Sequence, residues 1–251
     1  MTSWFISPNG LAIYRGLMTV YFWIVSIGRI LQYVLYNNSL GIYGYSNDVE
    51  CYLCYFTNLS YVGQTLYFTA AFIHNVIYCR TPEPHDPISF KQQPNFFNWL
   101  FWVLYHTIVH YHFIVVFVYW ALLSGSLIDS NPPAYIWWLA ISVHGGDFLA
   151  MMIELFLNRQ IMKKSFVILT CLGLLLFMLE SFVVFESSGL WVYSFLDWKN
   201  GSPSTVAIRY VLFLVSFVVV YFIVYGLHLL RDWIGKKLHK KRTDEKYGSN
   251  I

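Results

Sequence analysis

The stretch Ser165–Phe185 reads SFVILTCLGLLLFMLESFVVF. It is a mostly apolar run of 21 residues in which Glu180 is the single charge, and a helix needs about 20 mostly apolar residues to cross a bilayer. Five further stretches meet the same standard: Leu17–Tyr36, Tyr52–Tyr78, Phe96–Leu123, Tyr135–Leu157 and Val206–Leu230. A transmembrane barrel would show alternating segments of about ten residues instead, and these runs do not alternate. The connections are short and carry turn residues: Asn37-Asn38-Ser39, Thr81-Pro82-Glu83-Pro84, Asn131-Pro132-Pro133 and Asn200-Gly201-Ser202-Pro203. No internal repeat or low-complexity tract interrupts them. The expectation is an all-α, polytopic integral membrane protein. One bundle of six transmembrane helices fills residues 1–230, and a basic cytoplasmic tail follows over 231–251.

Composition points the same way. Of 251 residues, 57% are hydrophobic, 20% aromatic and 12% charged, where a soluble domain has about 45–50% apolar and about 25% charged residues. So few charges cannot cover a water-soluble surface of this size, and the apolar content is too high for a disordered chain. A net charge of +3 leaves no basic face for nucleic acid beyond the short tail. Orientation follows from lysine and arginine. With the tail in the cytoplasm, six spans bring the N-terminus to the same side; twelve basic residues then lie there and Lys199 alone lies opposite. Arg15, Arg29 and Arg209 fall in or beside spans. Met1–Gly10 lacks a basic start and a small-residue cleavage site, so the first span is expected to serve as its own insertion signal. The Lys236–Arg242 cluster reads as a stop-transfer anchor on the positive-inside face.

Polar groups inside the bilayer are costly, so function is sought among them. Thr57, Ser60 and Gln64 follow i, i+3, i+7 spacing and share one helix face; such a stripe can also glue helices together. Thr57 lies roughly 8 Å and His144 roughly 14 Å from the non-cytoplasmic boundary at 1.5 Å per residue, in the same half of the bilayer. A hydroxyl needs a base to become a nucleophile, and neutral imidazole is the usual one. Asp147, at i+3 from His144, could orient the ring or be a protonated buried carboxyl. In the third span His106 and His110 share a face and could ligate a metal or, with another histidine, a haem; His112 lies beside them. The alternative is histidines bonded to nearby backbone or hydroxyls, and no Glu-x-x-His motif supports a di-iron site. Cys51-x-x-Cys54 lacks a second such pair, so zinc is not expected. These and Cys79 and Cys171 read as small apolar residues.

Three blocks resemble the androgen-induced-gene / androgen-dependent TFPI-regulating protein family of six-span membrane proteins. Thr57, Gln64 and Tyr67-Phe68 match its threonine, the glutamine seven residues on and the aromatic pair after it. Trp138-Leu139 followed by His144 matches its Trp-Leu and the histidine five residues beyond. Gly189-Leu190-Trp191-Val192-Tyr193-Ser194-Phe195-Leu196 is close to its Gly-x-Trp-Val-Tyr-x-Phe-Leu. The chain departs at Ala140-Ile141, where members often have Asn-His, and at Phe185-Glu186, where a histidine pair is common. The third-span histidines look like local additions.

The resemblance implies a threonine hydrolase acting on fatty-acid esters of hydroxy fatty acids or similar lipids with long acyl chains, needing no metal or cofactor. His144 would take the proton of the Thr57 hydroxyl, return it to the departing alcohol and activate water for deacylation. Asn58, Ser60, Gln64 or Tyr193 could donate to the developing oxyanion. Ser60 is the competing nucleophile, and Arg29 could bind a substrate carboxylate or pair with a buried acid. The lipid substrate and the family point to the endoplasmic reticulum. Two other classes stand beside this one: a haem- or metal-binding electron-transfer bundle, and a non-catalytic scaffold or transporter using Gly28, Gly145-Gly146 and Gly173 for close helix approach.

Overall fold

The computed structural model describes residues 2–35, 49–81, 93–189, 191–199 and 201–248. Tyr36, the Asn37-Asn38-Ser39 and Pro82-Glu83-Pro84 connections, Lys91, Leu190, Asn200 and the closing Ser249-Asn250-Ile251 lie outside them, as do the side chains of Cys51 and of Lys240 onward. The described residues form helices and no strand.

The first helix, α1, spans Pro8–Leu35. It begins nine residues before the apolar run, because Ser7 caps it: the Gly10 amide donates to Ser7 Oγ at 3.1 Å and Pro8 supplies the fixed φ that suits a first helical position. A 3₁₀ turn at Val49–Cys54 then leads to α2, Phe56–Arg80. The apolar run started this helix at Tyr52. The chain breaks instead at Tyr55, which is extended (φ −94°, ψ 126°), while the Asn58 side-chain amide takes the Tyr52 carbonyl at 2.8 Å. A local side-chain bond of this kind competes with the helical one. Thr57 therefore becomes the second residue of a helix.

The next helix, α3, runs over Asn95–Val118 and continues as a π-helical turn at Tyr119–Leu123. A short α4, Gly125–Ser130, closes at Asn131, whose left-handed conformation (φ 44°) and following prolines end it. The fourth span is built in three parts: α5, Ala134–Ile141; a second π-helical turn, Ser142–Gly146; and α6, Asp147–Leu157. Helix α7, Phe166–Ser188, stops at Gly189 with φ 72°. A 3₁₀ turn at Ser194–Leu196 and the 46-residue α8, Pro203–Gly248, complete the chain. At 1.5 Å per residue α8 is roughly 69 Å long, so it carries the basic tail well past a bilayer about 30 Å thick.

Five helical segments among the described residues are long and apolar enough to cross a membrane: Pro8–Gln32, Asn95–Leu123, Ala134–Leu157, Phe166–Ser188 and Pro203–His239. Helix α2 is 25 residues long but is diluted by Thr57, Asn58, Ser60, Gln64, Thr65 and Asn75, most of which face inward. The centre of the bundle is α3, which packs against α2, α6, α7 and α8; Ile108–Val115 is buried without interruption, as befits a helix surrounded by others. The outer surface is apolar instead. Ile168 is 74%, Val183 68% and Phe117 64% exposed, while Arg15, Glu154, Asp147 and Arg231 are buried. Apolar residues outside and paired ions inside are what a bundle in lipid requires.

Much of that buried charge meets at Glu154. Arg15 of α1 reaches it at 2.5 Å, Tyr67 of α2 donates to it at 2.8 Å and Asn158 at 3.1 Å. Arg15 also donates to Asn75 at 2.7 Å. Asn158 in turn accepts from Arg231 of α8 at 2.9 Å. This network ties four spans together at one end of the bundle.

Candidate active site

The site begins at the N-terminal end of α2. An apolar cavity of about 40 Å³ lies where the first turn of α2 meets α3, α7, α8 and the Ser194–Leu196 turn. Its wall is almost entirely aliphatic and aromatic, from Val118, Leu174, Phe177, Met178 and Phe217 among others; Thr57, Tyr119 and Tyr193 supply the polar atoms. An apolar wall with few polar groups suits an apolar ligand group.

Thr57 is half-buried and its side chain makes no hydrogen bond among the described residues. Its place as second residue of α2 matters chemically. The first N–H groups of a helix have no acceptor within it, and together they present a partial positive charge. A developing oxyanion beside Thr57 would find donors there without any side chain.

The other members of the polar stripe are engaged elsewhere. Ser60 is buried and donates to the Thr57 carbonyl at 2.9 Å; it does not line the cavity. Asn58 donates to Tyr52 as described. Gln64 donates its amide to the Asp147 carbonyl at 2.9 Å, which makes α2 a direct neighbour of the fourth span. Among the four side chains considered as oxyanion donors, only Tyr193 stands in the cavity wall.

His144 lies in the second π-helical turn and is buried. Its ring stacks on Tyr119, centroids 3.4 Å apart and planes 6° from parallel, and Tyr119 itself begins the other π-helical turn. Trp120 reinforces the contact by donating to the His144 carbonyl at 2.8 Å. Such π turns often mark functional sites. Tyr119 is thus the shared element, lining the cavity with Thr57 on one side and covering His144 on the other. No hydrogen bond joins Thr57 to His144.

Asp147 does not orient His144. Its carboxylate accepts from His112 Nδ1 at 2.7 Å, with both side chains fully buried. The physical reason is the π turn between them: one extra residue per turn swings the following face by about 100°, so Asp147 turns toward α3. The third-span histidines separate accordingly. His106 donates from Nδ1 to the Trp102 carbonyl at 2.7 Å and accepts the Lys163 amide on Nε2 at 3.1 Å, so neither nitrogen is left for a metal. His110 donates to the Phe217 carbonyl of α8 at 2.8 Å. Among the described residues no three metal-binding side chains come together. Arg29 donates to Gln32 on its own helix at 2.8 Å.

The Gly-x-Trp-Val-Tyr block now has a structural role. Val192, Tyr193 and Leu196 are buried against Phe177, and Tyr193, Phe195 and Leu196 form part of the cavity wall. Residues 50–231 match the family described as FAR-17a/AIG1-like protein. The chain belongs to that family. The matched region contains Thr57, His144 and the cavity, and leaves out all of α1 and the end of α8. Searches of curated proteins and of solved structures found no match. Within this FAR-17a/AIG1-like protein, two of the three family blocks meet at the cavity wall, and the third lies directly behind Tyr119.

Proposed function

We propose that this protein is an intramembrane lipid ester hydrolase in which Thr57 is the nucleophile and His144 the base. The observation that carries this reading is the position of Thr57: an unbonded hydroxyl on the wall of an apolar cavity, at the N-terminal end of a helix. The cavity takes the apolar carbons next to the ester and keeps water from them. The Thr57 oxygen attacks the ester carbonyl carbon while its proton passes to His144, and the first-turn amides of α2 stabilise the oxyanion. His144 then gives that proton to the departing alcohol. An acyl-threonine is left, and water releases the fatty acid. Tyr119 must yield for His144 to reach Thr57, and apo contacts of this kind commonly tighten only with substrate bound.

The substrates this chemistry favours are fatty-acid esters of hydroxy fatty acids and similar esters, since both halves of such a molecule are apolar. Six spans, both termini in the cytoplasm and residence in the endoplasmic reticulum complete the proposal, on the strength of the lysine and arginine bias and the lipid substrate.

The test is labelling by a lipophilic fluorophosphonate in membranes, comparing wild type with Thr57→Ala, Ser60→Ala and His144→Ala at equal expression. Labelling is expected to vanish in Thr57→Ala and His144→Ala and to survive in Ser60→Ala. Full labelling of Thr57→Ala would refute the assignment.

A further inference from the structure

The bundle holds a second buried imidazole, against the fourth span, that the Thr57–His144 reading leaves unused. His112 sits two turns before Tyr119 on α3 and is fully buried. Its Nδ1 donates to Asp147 at 2.7 Å, which fixes the ring and leaves Nε2 as the basic nitrogen; Nε2 has no partner. Gln64, also fully buried, reaches the same residue from α2 through its amide nitrogen, and its Oε1 is likewise unpartnered. His144, three residues before Asp147, has an unpartnered Nδ1. Two open buried acceptors from two spans therefore belong to side chains that bond Asp147, and a third open atom belongs to the residue three positions before it.

Gln64 Oε1 and His112 Nε2 are both acceptors, and one water molecule offers two protons. A buried water needs two to four polar partners, and this pair supplies the first two. His144 has no carboxylate behind it, whereas His112 has Asp147, the arrangement that orients a base and stabilises it once it is protonated. We propose that His112, held by Asp147, is the general base for the hydrolytic half of the reaction, acting on a water held with Gln64. This rests on the acyl-threonine reading above and divides its two half-reactions between two histidines. The water proton moves to His112 Nε2 as the water oxygen bonds to the acyl carbon. The bond from that carbon to the Thr57 oxygen breaks, and the proton on His112 returns to the threonine. The free fatty acid leaves, and both histidines are neutral again.

The experiment compares wild type, His112→Gln and Asp147→Asn as full-length protein in membranes. Fluorophosphonate labelling reads activation of Thr57. A p-nitrophenyl oleate burst, its steady state and the mass of the Thr57 peptide read acylation and deacylation separately. In both variants labelling should stay within about twofold of wild type while steady-state turnover falls about 100-fold or more, the range of a lost general base. An oleoyl group should accumulate on Thr57. Labelling and turnover falling together would overturn the proposal, as would unchanged turnover or variants that slow without accumulating acyl-threonine. A wild type that neither labels at Thr57 nor shows a burst would overturn the threonine reading itself and this inference with it.

Discussion

Replacing Glu154 by glutamine keeps the shape of the side chain and removes its charge. Glu154 is fully buried and Arg15 is 1% exposed. The guanidinium approaches the carboxylate through Nη2 at 2.5 Å and through Nε at 3.2 Å, so the pair is a two-pronged one of the strong kind. Tyr67 and Asn158 occupy further lone pairs of the same carboxylate. In Glu154→Gln the Arg15 charge stays buried without its counter-charge, while Asn75 still accepts from it. Breaking a buried pair by removing one partner costs about 3–5 kcal/mol, whereas removing both costs far less because the desolvation burden goes too. The assay is denaturant unfolding in detergent micelles of wild type, Glu154→Gln, Arg15→Met and the Arg15→Met/Glu154→Met double variant. Each single variant should lose about 3–5 kcal/mol. The double variant should be more stable than the sum of the singles by about 2 kcal/mol or more, within the range of coupled neighbours. Single variants within about 0.5 kcal/mol of wild type, or strict additivity, would refute the view that this ion pair holds the bundle together.

Two further outcomes follow from packing. A Cβ added at Gly173 on α7 would overlap the Tyr111 hydroxyl, which donates to the Thr170 carbonyl at 2.9 Å; Gly173→Ala should therefore cost about 1–3 kcal/mol by overpacking. Adding Tyr111→Phe should recover most of that loss in thermal unfolding, since it removes the overlapping atom. At the cavity, Leu174→Trp fills space from the α7 side without touching Thr57. It should lower kcat/KM for oleoyl esters by about tenfold or more while sparing acetyl esters, and equal loss on both chain lengths would argue against the cavity as the acyl site.

Hydropathy exposed the spans because the membrane constraint is local: a run such as Ser165–Phe185 needs no partner to be recognised. The helix α7 that it forms, Phe166–Ser188, differs by three residues at most at either end. Thr57 and His144 were legible for a similar reason, as costly groups in apolar runs and as members of short blocks. What they touch was not legible. Asp147 at i+3 from His144 reads as its orienting carboxylate on any straight helix, and only the π turn at Ser142–Gly146 turns it toward His112. The start of α2 depended likewise on one side-chain bond, from Asn58 to Tyr52, and that bond moves Thr57 from the body of a helix to its N-terminal turn. Arg15 and Arg29 look alike as single charges in the first span. Only the fold gives Arg15 a buried carboxylate, 139 residues away.

The two buried polar zones of the fourth span differ in how far their hydrogen bonds are satisfied. Glu154 follows Asp147 by seven residues, roughly 10 Å along the helix. Around Glu154 no buried side-chain atom of Arg15, Tyr67, Asn75, Tyr105, Asn158 or Arg231 lacks a partner. A fully satisfied network is one that rigidifies a core. Around Asp147 the opposite holds, with Gln64 Oε1, His112 Nε2 and His144 Nδ1 all open. Burial in a lipid-embedded bundle makes each open atom expensive; His110 Nδ1 and Trp191 Nε1 are open elsewhere, and the Asp147 end differs in that two of its open atoms belong to side chains bonded to the same residue. The cost is explained if water and a reacting ester complete the set during turnover. On the proposed reading, the family blocks identify where to look, and this difference in hydrogen-bond satisfaction favours the Asp147 end as the reacting zone.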